Sequence, residues 1–196
     1  MVVDKVAPWA ELVLFTADDL AGLPDDAWHY ELVHGRLVRM SPSGLRHGGI
    51  GLTLGASLRA FAGEHGLGFV VGAETGFHVS RPGEPDTVLA PDAAFIAAAR
   101  VPPEDSREWI GFPRLAPDLV VEVASPSQHR PEMAAKAKLW LEAGVRLAWV
   151  VWPAQRQVDV WESGNQEAPQ TLGSTDELSG GEVLPGFTFP LATLWR

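Results

Sequence analysis

Apolar residues recur along the chain with periods that predict both helices and strands. Residues 45–62 carry apolar side chains at helical spacing. The clearest helix is predicted over 131–143, with a proline in its first turn and Gly144 just past its end. Residues 118–124 are almost continuously apolar and β-branched, which is typical of a strand buried on both faces.

The other predicted elements are shorter. A helix over 16–23 can be capped by Thr16, and apolar alternation around His34-Gly35 predicts a β-hairpin over 29–40. Further strands are predicted at 68–80, 88–97, 145–152, 158–162, 169–172 and 181–184, and residues 101–117 should be irregular apart from one helical turn near 104–109. This order predicts an α/β fold of the α+β type, with a mixed central β-sheet flanked by helices and an N-terminal helix plus β-hairpin.

Length and composition narrow the class of protein. The chain has 196 residues, which fits one domain over 1–196, and it contains no cysteine, as expected in a reducing compartment. The N-terminal apolar run is short and interrupted, and no stretch approaches the ~18 apolar residues of a membrane span. We therefore expect a cytoplasmic protein without membrane contact.

The charge balance is acidic. Asp and Glu number 25 against 15 Lys and Arg, so the net charge is −10. A protein that coats nucleic acid would need a basic face, so this balance disfavours that class. It does not exclude an enzyme that holds a divalent cation, because the ion supplies local positive potential.

Glu122 is the misfit in the strand predicted over 118–124. Side chains alternate along a strand, so Glu122 shares a face with Val120 and Ala124. An ionised carboxylate there is costly unless something compensates it. Glu122 either reaches water near a strand end or has a functional partner, and the second interpretation is favoured.

Asp92 poses the same question at the start of another strand. It opens the apolar run 93–99 directly after Pro91. A Pro-Asp pair alone predicts only a turn. The matching carboxylate of Glu122 on a second strand favours a functional role.

Lys136 lies on the apolar face of the helix predicted over 131–143, beside Met133 and Trp140. Lys138 lies about 200° away around the same helix, since each residue turns ~100°. Lys136 therefore either points inward or extends along the apolar face toward water.

These residue types together indicate metal-assisted phosphodiester chemistry. A hard divalent cation such as Mg²⁺ takes oxygen ligands and keeps several waters, and Asp92 and Glu122 could supply two of those ligands. The metal would lower the pKa of a bound water, and the Lys136 ammonium would orient that water or stabilise developing negative charge.

Several segments together resemble a known family. They are YELVHGRLVRMSP at 30–42, SGLRH at 43–47, PDAAF at 91–95, PDLVVEVASPS at 117–127, LEAGV at 141–145 and LAWVVWP at 147–153. The chain resembles the Uma-two family of bacterial endonucleases, within the PD-(D/E)XK restriction-endonuclease-like superfamily, from about Phe15 to Trp161, with a weaker LPGF match at 184–187.

The resemblance implies a restriction-endonuclease-like core and a metal-dependent endonuclease. It makes Asp92 and Glu122 the metal ligands, Lys136 the catalytic lysine and Glu31 an added acidic residue of the site. Mg²⁺ would be the cofactor, with Mn²⁺ as a substitute. The partner would be nucleic acid, DNA before RNA, and the protein would be a homodimer.

Three positions depart from the pattern that the resemblance implies. The superfamily's usual lysine lies two residues after the glutamate, where this chain has Ala124. Glu132 replaces an aspartate four residues before Lys136, and Trp152 replaces the aspartate of an Asp-Pro pair. None of them removes a proposed ligand.

Arg46 and His47 form a weaker candidate for nucleic-acid contact. They lie at the start of the helix predicted over 45–62, where a helix N-terminus attracts phosphate. Ordinary capping and loop roles explain them equally well.

Two alternatives to the nuclease hypothesis stay open. A nuclease-fold protein without cleavage activity could serve as a binding or regulatory module, as the acidity and Ala124 would favour. A metal-dependent hydrolase could act on another phosphoester.

Overall fold

The computed structural model describes residues 13–24, 29–40 and 42–195. Its helices are α1 (Ala17–Ala21), α2 (Leu45–Glu64) and α3 (Arg130–Glu142). Its strands are β1 (His29–Val33), β2 (Arg36–Met40), β3 (Gly68–Gly72), β4 (Phe77–His78), β5 (Val88–Leu89), β6 (Ala93–Ala97), β7 (Leu119–Val123), β8 (Leu147–Trp152), β9 (Gln157–Glu162), β10 (Asn165–Leu172), β11 (Glu177–Ser179) and β12 (Thr188–Pro190). None of the helices in these ranges is long and apolar enough to cross a membrane.

A six-stranded mixed sheet forms the centre of the molecule. Its strand order is β10-β9-β8-β7-β6-β3, with β7 and β8 parallel and the other neighbours antiparallel. The apolar face of α2 packs on one side of the sheet, and α3, the crossover between β7 and β8, packs on the other. This arrangement confirms the predicted mixed sheet flanked by helices.

A second, four-stranded sheet has the order β2-β1-β5-β4. The predicted hairpin is confirmed, with His34 and Gly35 both at positive φ in its turn. Only the short link Ala90–Asp92 separates β5 from β6, so this link carries the chain from the small sheet into the central one. The hairpin is thereby held beside the end of the central sheet.

The predicted helices 16–23, 45–62 and 131–143 are confirmed within two residues at each end. The prediction of one strand over 68–80 is wrong, because Glu74 takes a positive φ and the turn sends β3 and β4 into different sheets. The strand predicted over 88–97 divides at the link containing Pro91.

The prediction of a strand over 181–184 is also wrong. Gly181 lies at positive φ, and the amides of Val183 and Leu184 both donate to the Gly180 carbonyl. These bonds coil the segment into a turn that buries Leu184 fully. The strands form on either side of it, as β11 and β12.

Gly68 and Gly72 mark the two ends of β3 and provide a test of sheet packing. A Cβ at Gly68 would overlap the Ile96 carbonyl oxygen, whereas a Cβ at Gly72 would meet nothing within 4 Å. Gly68→Ala should therefore lower the free energy of unfolding by about 1–3 kcal/mol, as overpacking usually does. Urea unfolding of both alanine variants checks this, and equal stability of the two would contradict the packing argument.

Candidate functional site

Glu122 lies in the middle of the central sheet. It belongs to β7, between β6 and β8, and its side chain is 6% exposed. The indole Nε1 of Trp140 donates to Glu122 Oε1 over 2.8 Å, and Lys136 Nζ donates to Oε2 over 2.9 Å. The carboxylate is thus buried with a donor on each oxygen, as a charged group in a low-dielectric interior requires.

Lys136 points toward the sheet from α3. Met133 and Trp140 lie one turn before and after it, and both are buried against the sheet. Its Nζ donates to Glu31 Oε1 and to Glu122 Oε2, each over 2.9 Å, and the side chain is 14% exposed. The apolar helix face predicted from the sequence therefore places the Lys136 ammonium within hydrogen-bond distance of both carboxylates.

The first turn of α3 is bound to β9 of the central sheet. Arg130 Nη1 donates to Asp159 Oδ2 and its Nη2 to Gln157 Oε1, both over 2.7 Å. Buried Asp159 also accepts from the Trp152 indole and the Thr171 hydroxyl. This network fixes the helix that positions Lys136.

Glu31 enters the site from the hairpin. It lies in β1, and its side chain is 6% exposed. The backbone amide of Ala90, in the link between the two sheets, donates to Glu31 Oε1 over 2.9 Å. The same oxygen accepts from Lys136, so Glu31 joins the hairpin, the link and α3.

Asp92 lies directly beside Glu122. The antiparallel register that pairs Ala93 with Val121 makes Asp92 the neighbour of Glu122 at the end of β6. The amide of Val123 donates to Asp92 Oδ2 over 2.7 Å. The Asp92 side chain is 20% exposed, so it is the most accessible of the three carboxylates.

His47 joins this cluster from the first turn of α2. Its Nε2 lies 2.9 Å from the Val123 carbonyl oxygen and 3.3 Å from Asp92 Oδ2. Since a carbonyl can only accept, Nε2 carries the proton. The Nδ1 atom is buried and has no hydrogen-bond partner among residues 13–24, 29–40 and 42–195, whereas Arg46 is exposed. His47 therefore faces the carboxylates through Nε2.

Burial dominates the electrostatics of the cluster, and its excess of negative charge adds to the effect. Burial raises the pKa of Glu122 to about 7, and the charges of Glu31 and Asp92 add to this although Lys136 opposes it. Burial likewise raises the pKa of Asp92. Burial alone would lower the pKa of Lys136, but the charges of Glu122 and Glu31 outweigh it and raise that pKa.

The donor set fits a hard divalent cation. Asp92 and Glu122 are neighbouring carboxylates with raised pKa values, and a bound cation would stabilise their ionised forms. Within the described ranges, no group of three or more His, Asp and Glu side chains is arranged to bind a metal ion. Mg²⁺ commonly binds through only one or two carboxylates and keeps several waters, so Asp92 and Glu122 could supply enough protein ligands for this ion.

The sequence had selected Glu31, Asp92, Glu122 and Lys136, and the structure brings these four side chains together. Their catalytic and metal-binding roles stay predictions. The position two residues after Glu122 is buried Ala124, so the ammonium here comes from α3.

Two partners of the cluster were missed by sequence reasoning. The apolar helix face places Trp140 beside Lys136, but the sequence pattern did not indicate that its indole donates to Glu122. Its position four residues after Lys136, on the same helix face, was the available signal. The contact of His47 with Val123 joins residues 76 apart in the chain, and no local pattern indicates it.

Comparison with known proteins agrees with this architecture. No curated protein matches the chain. A solved structure entitled a putative nuclease belonging to DUF820, from Anabaena variabilis, matches with a TM-score of 0.77 and 17% identity, over 92% of this chain and 97% of that one. At that identity the match shows the shared fold. The Uma2 family model, described as "Putative restriction endonuclease", matches residues 17–192. Because that match covers most of this chain, the chain belongs to the Uma2 family.

Proposed function

We propose that this protein is a divalent-metal-dependent nuclease that hydrolyses phosphodiester bonds, with DNA as the first substrate to test. Asp92 and Glu122 would hold the metal, Lys136 would be the catalytic ammonium and Glu31 would support it. The observation that carries the proposal is the Lys136 ammonium, which donates to two buried carboxylates over 2.9 Å, near the partly exposed side chain of Asp92. Family membership supports the same reaction class.

A bound Mg²⁺ or Mn²⁺ would supply a more acidic water and positive charge for the phosphate. The protein's own residues would orient the two metal-binding carboxylates for that chemistry. The Val123 amide and His47 Nε2 both lie at Asp92 Oδ2, which leaves Oδ1 to face a ligand. Trp140 holds one oxygen of Glu122, so the carboxylate cannot rotate freely beside Asp92.

Lys136 contributes the positive charge that the chain itself provides. An ammonium has three protons, and Glu31 and Glu122 each accept one of them. The third can donate to the attacking water or to a phosphate oxygen. As the water oxygen bonds to phosphorus and the bond to the leaving oxygen breaks, that donor would stabilise the added negative charge.

Cleavage assays on supercoiled plasmid and labelled oligonucleotides test the proposal, with Mg²⁺ or Mn²⁺ against EDTA. Asp92→Asn keeps the size of the side chain but removes its charge, so the cleavage rate should fall by at least about 100-fold, corresponding to roughly 3 kcal/mol in the barrier. Cleavage should also cease in EDTA.

Asp105→Asn is the matched control, because Asp105 is exposed in the irregular segment after β6. It should cleave at the wild-type rate. Equal cleavage by the wild type, Asp92→Asn and a Lys136→Ala variant would contradict the assigned site. Oligonucleotide binding without cleavage under any metal would instead identify a binding module.

A further inference from the structure

A cavity of about 500 Å³ lies between the β1–β2 hairpin and α3, and we refer to it as the hairpin–helix cavity. Glu31 and Lys136 both line it, so it adjoins the carboxylate cluster on the side of these two residues. Cavities of roughly 300–1,000 Å³ accommodate a small organic group. The volume is therefore sufficient for one nucleobase with part of its sugar.

Aliphatic and charged side chains both line this cavity. Its aliphatic residues are Val33, Val38, Met40, Leu89, Ala135 and Leu139. Val38 is 41% exposed, although it lies directly across the hairpin from Glu31 in the strand register. An exposed aliphatic side chain beside a buried ion pair is available to cover a flat apolar ring.

The charges around the cavity disfavour phosphate. Glu31, Glu132 and Glu142 contribute three carboxylates, whereas Lys136 and Lys138 contribute two ammonium groups. A neutral ring would enter without the repulsion that a phosphate anion would meet there.

These properties lead to an inference that rests on the proposed function. We propose that the hairpin–helix cavity receives an unpaired nucleobase of the substrate strand, next to the phosphodiester at the carboxylate cluster. A base inside a duplex is stacked and paired, and leaving the stack costs a few kcal/mol, whereas an unpaired base avoids most of that cost. Single strands, loops or flaps would then be preferred over continuous duplex.

The test measures binding separately from cleavage. An oligonucleotide with one 2-aminopurine is mixed with the intact protein in Ca²⁺, and gels verify that it stays uncut. The single strand should bind at least 10-fold more tightly than its duplex, with a change in 2-aminopurine emission because the base exchanges stacked neighbours for aliphatic walls.

Variants at the cavity wall complete the test. Val38→Trp should fill the cavity, weaken single-strand binding at least 10-fold and abolish the emission change. Met40→Phe narrows the same cavity and replaces Val38→Trp if that variant fails to fold. Ile110→Trp is the matched control, because Ile110 is 93% exposed and lies outside the cavity, and it should bind as the wild type does.

Three outcomes would overturn the inference. They are equal affinity for single strand and duplex, wild-type binding by both cavity variants, and a dimer that Val38→Trp dissociates while oligonucleotide binding is unchanged. The last would assign the cavity to a second copy of the chain. Failure of the nuclease proposal is distinguishable, because it appears as absent cleavage in Mg²⁺ and Mn²⁺ whatever the binding result.

Discussion

Replacing Lys136 with methionine is expected to lower the free energy of unfolding by about 3–5 kcal/mol at pH 8 without metal, the usual cost of breaking a buried ion pair on one side. The Lys136 side chain is 14% exposed, and the side chains of its two carboxylate partners are each 6% exposed. Methionine keeps much of the aliphatic length but leaves Glu31 and Glu122 buried without their cation. Urea unfolding in EDTA measures the loss.

Lys138→Met is the matched control for that loss. Lys138 lies two residues along α3, is partly exposed, and places its Nζ 5.8 Å from the Trp161 ring. Losing that contact should cost about 1 kcal/mol or less. Equal losses in the two lysine variants would show that the ion pairs of Lys136 contribute little.

A double variant separates the ion pair from general packing. In Lys136→Met combined with Glu122→Gln, one unpaired carboxylate is gone, so part of the loss should be recovered. The coupling energy between these contacting positions should be about 0.5–3 kcal/mol, the range for directly interacting residues. Strict additivity would contradict a direct Lys136–Glu122 interaction.

The second large effect is a fall in stability with rising pH in the absence of divalent metal. The pKa of Glu122 is raised from 4.5 to about 7 by burial, so the folded protein keeps a proton there that the unfolded chain has already released. Stability from this proton is fully present below pH 4.5 and is lost as pH rises to about 7. Each pKa unit corresponds to about 1.4 kcal/mol, so the loss amounts to a few kcal/mol.

The Glu122→Gln variant tests whether Glu122 is the source of this dependence of stability on pH. The amide cannot ionise, so its unfolding free energy should change less between pH 5 and 8 than that of the wild type. Asp105→Asn, at an exposed carboxylate, should retain the wild-type slope. A Glu122→Gln profile parallel to the wild type would locate the titrating group elsewhere.

A bound divalent metal ion should restore the unfolding free energy that is lost as the pH rises. A divalent cation that binds the ionised carboxylates stabilises only the folded protein, by an amount that grows with its concentration relative to Kd. Mg²⁺ or Mn²⁺ should therefore raise the unfolding free energy most at pH 8, and Asp92→Asn should reduce that gain. Stability that is insensitive to both ions at pH 8 would contradict the proposed metal site.

Local pattern was sufficient to identify Glu122 and Lys136 because both residues break local rules. Glu122 interrupts an apolar strand, and Lys136 lies on an apolar helix face. Helical geometry distinguishes Lys136 from Lys138 without reference to any partner. Asp92 depended more on resemblance, since a Pro-Asp pair is common in turns. The strand register places it beside Glu122.

The sequence by itself determined the helices, the hairpin, the buried strand β7 and the two misfits Glu122 and Lys136, because periodicity and burial cost are local properties of the chain. Glu31 was indicated only by the family resemblance. Only the tertiary structure decided their partners. The indole of Trp140 on Glu122, the Ala90 amide on Glu31 and the imidazole of His47 on Val123 join segments 18, 59 and 76 residues apart. Such contacts depend on strand order and helix packing, and only that of Trp140 had a local signal, its position four residues after Lys136.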